Sequence, residues 1–266
     1  MPEGKPVFGV TSLGEEIYLL RWKGRVEVYD VINYCLQRYL TLPHASGSID
    51  MTSCRHFMCL YIANDIARCI HRLDLQGNAE QWPVNDEPTG LSVNADHNLI
   101  VTCRRVRKIK EFSPRGELVR YVILPDDVIN PWHAIQLTSG QFIVCHGRSL
   151  HNDQVHRVCK ISLDGRHIVQ SHGGQSGPDT GQYKVPRHLA VDDNNSVLVL
   201  DLLNCRVTSL SPMLNHIRQV VSRNEFKWCP RRLYLDVQRR RLYVTDNDNF
   251  NEGNTFTAGR VVVFSV

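Results

Sequence analysis

A short apolar strand signal recurs six times along these 266 residues, and its spacing limits the possible folds more than any other feature. The segments IYLLRW, LYIAND, LIVTCR, FIVCHG, VLVLDL and LYVTDN align on their fifth residues, Arg21, Asn64, Cys103, His146, Asp201 and Asp246, at steps of 43, 39, 43, 55 and 45 residues. The strand before each supplies a second column, Phe8, Asp50, Gly90, His133, His188 and Arg232. The strand after it supplies a third, Arg25, Cys69, Lys108, Arg157, Arg206 and Arg260, each followed by Val or Ile. Three columns in one register, at a period of roughly 40 to 50 residues, mark the blades of a propeller.

The apolar runs are short, rich in Val, Ile, Leu and Tyr, and broken by Gly, Asp, Asn and Pro, with no sustained 3.6-residue period. This is an all-β pattern. A fourth, less regular strand follows each triplet, as in YCLQRYLTL, GELVRYVIL and HIRQVVS. One such sheet cannot cover both of its faces, whereas six set radially bury each against the next. The expected fold is therefore a six-bladed β-propeller of four-stranded antiparallel blades, one domain over residues 1–266. Its blades span about 6–43, 48–85, 86–126, 129–172, 182–222 and 227–266. The last blade falls short by about one strand. Either the N-terminal residues close it or it is incomplete because the chain belongs to a longer protein, and the second reading is the favoured one.

In the fifth unit the glycine-rich lead-in, Pro186, HLAVD, VLVLD and LNCRV resemble the NHL repeat, and RRLYLDVQRRRLYVTDND with GRVVVF in the sixth is similar. The third and fourth units fit less closely, and in the first two Arg21 and Asn64 replace the aspartate that ends the second strand. The resemblance implies one of two functional classes. One is the C-terminal domain of tripartite-motif ubiquitin ligases, which binds RNA or protein. The other is a small group of enzymes that includes a zinc-dependent peptide-amidating lyase.

In an antiparallel blade all three columns fall on one side, where the longest loops also open. The net charge is only +4, yet Arg21, Lys23, Arg104, Arg105, Lys108, Arg148, Lys184, Arg187, Arg231 and Arg232 are expected on that side. Such a surface follows the phosphates of single-stranded RNA or docks a protein, with Trp132, Tyr183 and Trp228 placed to stack bases. Arg206 and Arg260 are expected instead to pair with Asp201 and Asp246 as structural ion pairs. His133 and His188 count among the binding residues. The alternative is a metal-dependent lyase or hydrolase in which His133, His146 and His188 hold zinc with one open position. Against it, Phe8, Asp50, Gly90 and Arg232 fill the rest of the first column, Asp50 is the one candidate general base, and the Arg232 cation opposes a dication. The leading expectation is a non-catalytic recognition module without a cofactor.

Other signals narrow the field. Nine cysteines without a Cys-x-x-Cys pair read as reduced, buried thiols of a cytoplasmic protein. No run approaches the roughly 18 apolar residues of a membrane helix. DNDNFNEGN at 246–254 lacks the spacing and flanking helices of an EF-hand, and no covalent-hydrolase or nucleotide-binding motif occurs. Upstream ligase-like domains are expected to lie outside these residues.

Overall fold

The computed structural model describes residues 1, 3–42, 46–147, 155–248 and 257–266. Their regular structure is six antiparallel sheets, each following chain order. The first contains β1 (Val7–Leu13), β2 (Glu16–Arg21), β3 (Arg25–Asp30) and β4 (Leu36–Thr41). The second contains β5 (Ser48–Cys54), β6 (Cys59–Asn64), β7 (Cys69–Asp74) and β8 (Ala79–Pro83). The third contains β9 (Pro88–Val93), β10 (Leu99–Cys103), β11 (Lys108–Phe112) and β12 (Leu118–Ile123). The fourth contains β13 (Pro131–Gln136), β14 (Phe142–His146), β15 (His156–Ile161) and β16 (Ile168–Gly174). The fifth contains β17 (Pro186–Val191), β18 (Val197–Asp201), β19 (Arg206–Leu210) and β20 (His216–Val221). The sixth contains β21 (Cys229–Asp236), β22 (Arg241–Asn247) and β23 (Gly259–Ser265). The fold is a six-bladed β-propeller.

Burial explains the sequence pattern. Every residue of β6, β14 and β18 is buried, because these second strands are packed on both faces and so read as continuous apolar runs. In the outer strands β4 and β12 only Leu40 and Val122 are fully buried. Their partial alternation matches a sheet margin.

The pairing registers reproduce two of the three sequence columns. Asn64, Cys103, His146, Asp201 and Asp246 lie opposite Cys69, Lys108, Arg157, Arg206 and Arg260. Arg206 Nε meets Asp201 Oδ2 at 3.0 Å and Arg260 Nε meets Asp246 Oδ2 at 2.9 Å, as expected. The two carboxylates also accept backbone N–H groups of the incoming segment, from Lys184 at 2.8 Å and from Lys227 and Trp228 at 2.9 Å each. The aspartate column is thus an anchor for the loop that leads into its own blade.

The first column needs one correction. The pairing of strands one and two slips just after the first residue, between Val7 and Gly9, Ser48 and Asp50, Pro131 and His133, Pro186 and His188, and Pro230 and Leu233. Phe8 is therefore the bulged residue, and Gly9 takes the place equivalent to Asp50, His133 and His188. A bulge re-aims the side chain it carries. Trp132 and Arg187 occupy that position in successive blades.

The favoured reading of the last blade also changes. Gly4 and Gly259 exchange two backbone hydrogen bonds of 3.0 and 2.8 Å, and the Met1 amino group donates to the Val261 carbonyl at 3.0 Å. The N-terminal segment thus lies along the outer edge of β23, where a fourth strand belongs. Arg21 fixes it, donating to the carbonyls of Lys5 (2.5 Å) and Gly259 (3.1 Å). The Asn247 side chain clasps both backbone groups of Val7, at 2.9 and 2.8 Å. A Cβ on Gly259 would stand 2.1 Å from Asn247 Oδ1, so this approach requires glycine.

The chain divides into two compact units, residues 1–91 with 226–266, and residues 92–225. In the first, Leu20, Val26 and Leu40 pack on Met51, Leu60 and Ile62, while Val7, Val10 and Ile17 pack on Tyr243 and Val261. In the second, Ile100, Ile109 and Val122 pack on Ala134, Phe142 and Val144, and Ile143 and Val158 pack on Leu189, Val199 and Leu210. All nine cysteines are free thiols, and only Cys35 is exposed.

Candidate functional site

Three chain segments build the site in the second unit. After β10 the chain turns through Arg104–Arg107, closed by the Arg107 N–H on the Arg104 carbonyl at 3.3 Å, with Arg107 at φ 50°. At β13 the bulge lifts Trp132, whose Nε1–H donates to the Gly147 carbonyl at 2.9 Å. Before β17, Val185 holds φ 65°, a strained conformation for a β-branched residue. It is held there by its N–H on His156 Nδ1 (3.1 Å) and by the Leu202 N–H on its carbonyl (3.0 Å). Pro186 then fixes the direction in which the bulged Arg187 leaves the sheet.

These segments produce two layers of stacking. The guanidinium carbons of Arg104 and Arg187 each lie 4.2 Å from the Trp132 ring centroid. Two guanidinium groups therefore stack on the one indole. Each contact contributes about 0.5–2 kcal/mol, depending on its desolvation. One residue further along each strand, His133 and His188 stack with ring centroids 3.9 Å apart and planes at 29°. Both imidazoles are buried. The motifs Pro131-Trp132-His133 and Pro186-Arg187-His188 are thus a single local structure repeated in neighbouring blades, bulged residue on bulged residue and histidine on histidine.

Several expected binding residues have other duties. Arg21 is buried and paired with Glu27 at 2.7 Å. Arg232 is buried and paired with Asp50 at 2.7 Å, while its Nη2 donates to the Ile49 (2.8 Å) and Thr89 (3.4 Å) carbonyls and its Nη1 to the Arg231 carbonyl (3.1 Å). Asp50 also accepts the Leu91 N–H at 2.8 Å, so the pair is fully coordinated and turned inward. Arg231 is half-buried, and desolvation together with the adjacent Arg232 pulls its pKa down. Lys108 stands 5.2 Å over the Tyr121 ring, on the outer strand. Tyr183 is buried and shares a hydrogen bond with Thr208. Lys23, Arg105 and Lys184 are exposed. Arg148 lies outside the described residues, as do 249–254 of the Asn-rich loop.

The aromatic platforms expected for bases are already in use. Trp132 carries two guanidinium groups, Tyr183 is buried, and Lys227 Nζ sits 4.4 Å over Trp228. The three-histidine zinc set is not assembled either. His133 lies opposite Cys145, so its strand neighbour His146 projects from the other face of the sheet. There the His146 Nε2 faces Cys159 Sγ at 3.4 Å, and burial lowers its pKa to about 4.

No protein-family model matches the chain, and no curated protein matches it. The NHL resemblance therefore rests on the residues quoted for it. Solved structures share the fold. A protein of unknown function from Bacteroides caccae superposes with a TM-score of 0.70 at 14% identity, covering 95% of this chain and 90% of that one. Virginiamycin B lyase from Staphylococcus aureus gives 0.66 at 10% identity, covering 100% and 88%. The β-propeller domain of Myceliophteria thermophila Cps50 (Swd1) gives 0.63 at 11% identity, covering 99% and 98%. At such identities the likeness is one of fold alone.

Proposed function

We propose that this chain is a non-catalytic recognition module of the NHL propeller type that binds an acidic segment of a protein partner. The observation that carries this reading is the Arg104–Trp132–Arg187 stack. Stacking engages the flat faces of a guanidinium and holds it in one orientation. Two cations held in place on one ring give a fixed positive centre that attracts a carboxylate. Arg105 and Lys184 add exposed positive charge on the two segments that carry the stack. Single-stranded RNA is the lesser candidate, because Tyr183 is buried and Trp132 and Trp228 each already carry a cation on the ring that a base would stack on. The NHL-like residues of the fifth and sixth units favour a setting in a longer, cytoplasmic, tripartite-motif-like ligase.

Fluorescence anisotropy of the whole chain with a labelled Glu/Asp-rich peptide and with a labelled oligouridylate tests the choice. The expected result is saturable peptide binding that weakens with salt and is lost in Arg104→Glu and Arg187→Glu. Tight oligouridylate binding with no peptide binding moves the assignment to RNA, and binding of neither ligand refutes the module.

A further inference from the structure

Residues of β16, β19, β20 and the segment 180–183 line a small pocket that is open to solvent and shares no lining residue with the arginine stack. His172 from β16 and His216 from β20 stack in it with ring centroids 6.4 Å apart and planes at 21°. The Tyr183 ring meets His172 edge-on at 5.7 Å, and its hydroxyl is shared with Thr208 Oγ1 at 3.4 Å. Arg206 braces the wall. Its Nε holds Asp201 at 3.0 Å, while its Nη groups hold the carbonyls of Pro178 (2.7 Å), Asp179 (3.3 Å) and Gln182 (2.6 Å).

The lining has a one-sided chemistry. It contains two imidazoles, a guanidinium and the side-chain amides of Gln182 and Gln219, and no carboxylate. The charge of Arg206 is met by Asp201 outside the cavity. The Nε2 of His172 is buried and has no hydrogen-bond partner among the described residues, which is costly unless something reaches it. Burial and the neighbouring His216 hold the His172 pKa below its ordinary value. An anion placed beside the two rings removes that penalty, since an opposite charge within several ångströms favours the imidazolium.

We infer that this cavity binds a single oxyanion group, a carboxylate or a phosphate monoester, seated against His172 and His216 and oriented by Gln182 and Gln219.

Nitrogen-15 NMR of the histidine side chains tests this on the whole chain at about pH 6, where imidazoles titrate. Inorganic phosphate and acetate are added separately, against sodium chloride at matched ionic strength. Saturable shifts confined to His172 and His216 are expected. Saturation by phosphate alone assigns a phosphate site, by acetate alone a carboxylate site, and by both a general oxyanion site. Gln219 is exposed, so Gln219→Glu keeps the fold while placing a like charge beside the ligand, and it should weaken binding by at least about tenfold. Shifts that do not saturate, that chloride reproduces, or that persist undiminished in Gln219→Glu overturn the inference. Loss of the acidic-peptide binding proposed above would leave these shifts untouched.

Discussion

Arg232 and Arg187 both stand at the start of a blade, one register position apart, yet the two regions use them in opposite ways. In the first unit, Arg232 meets the carboxylate of Asp50 and three backbone carbonyls, and so becomes part of the framework. In the second, the corresponding place is held by His188, and the bulge directs Arg187 onto an indole. A buried carboxylate with backbone carbonyls around it fixes a guanidinium inside the framework, while an aromatic ring engages its flat face. The partner therefore decides whether an arginine holds the fold or presents charge, and the number of arginines in a sequence says little about how many are available.

The contrast can be broken most directly at the framework end. Arg232→Ala is expected to lower unfolding free energy by about 3–5 kcal/mol, because it strands the buried Asp50 carboxylate. Urea denaturation measures this, and the double change Arg232→Met with Asp50→Leu should recover most of the loss. A fall below about 1 kcal/mol for the single variant would place Arg232 with the recognition residues instead.

A buried histidine gives the next effect. His146 keeps its neutral form in the folded chain down to about pH 4, whereas in the unfolded chain it takes a proton below about 6.5. Between those values the unfolded state binds more protons, so stability is full above about pH 6.5 and falls as the pH drops, by on the order of 3 kcal/mol from this group. Burial depresses His156 and His172 in the same direction. Urea midpoints from pH 7 downward follow the loss, and His146→Gln should flatten the slope.

At the recognition end, Arg187→Glu is expected to cost acidic-peptide affinity at least about tenfold while lowering stability only by the cation–π contact it removes, about 0.5–2 kcal/mol. Matched anisotropy and urea data separate the two quantities. The smallest effect should come from Lys108→Ala. With its ammonium over Tyr121 and away from the stack, it should change either quantity by less than about 0.5 kcal/mol.

The architecture was legible because it rests on periodicity. Strands packed on both faces leave apolar runs, and the polar residue that ends each one leaves a column. Asp201 and Asp246 with Arg206 and Arg260 were readable as ion pairs for the same reason. The site was less legible. The bulge is a property of pairing register, which no single segment displays, so Phe8 was aligned one residue off and His146 was grouped with His133 although adjacent residues in a strand face opposite ways. Val185 in a left-handed conformation and Gly147 as acceptor for Trp132 left no compositional trace. One signal was present: Pro-Trp-His and Pro-Arg-His at the same register position already implied stacking between neighbouring blades.

The pairing of Gly4 with Gly259 has a consequence for how the molecule is made. During synthesis residues 1–6 must wait, without their partner strand, until β23 has emerged, so this sheet is completed late and its margin is exposed until then. A short segment that holds no strand of its own therefore sets when the newborn chain stops being vulnerable to pairing with its neighbours.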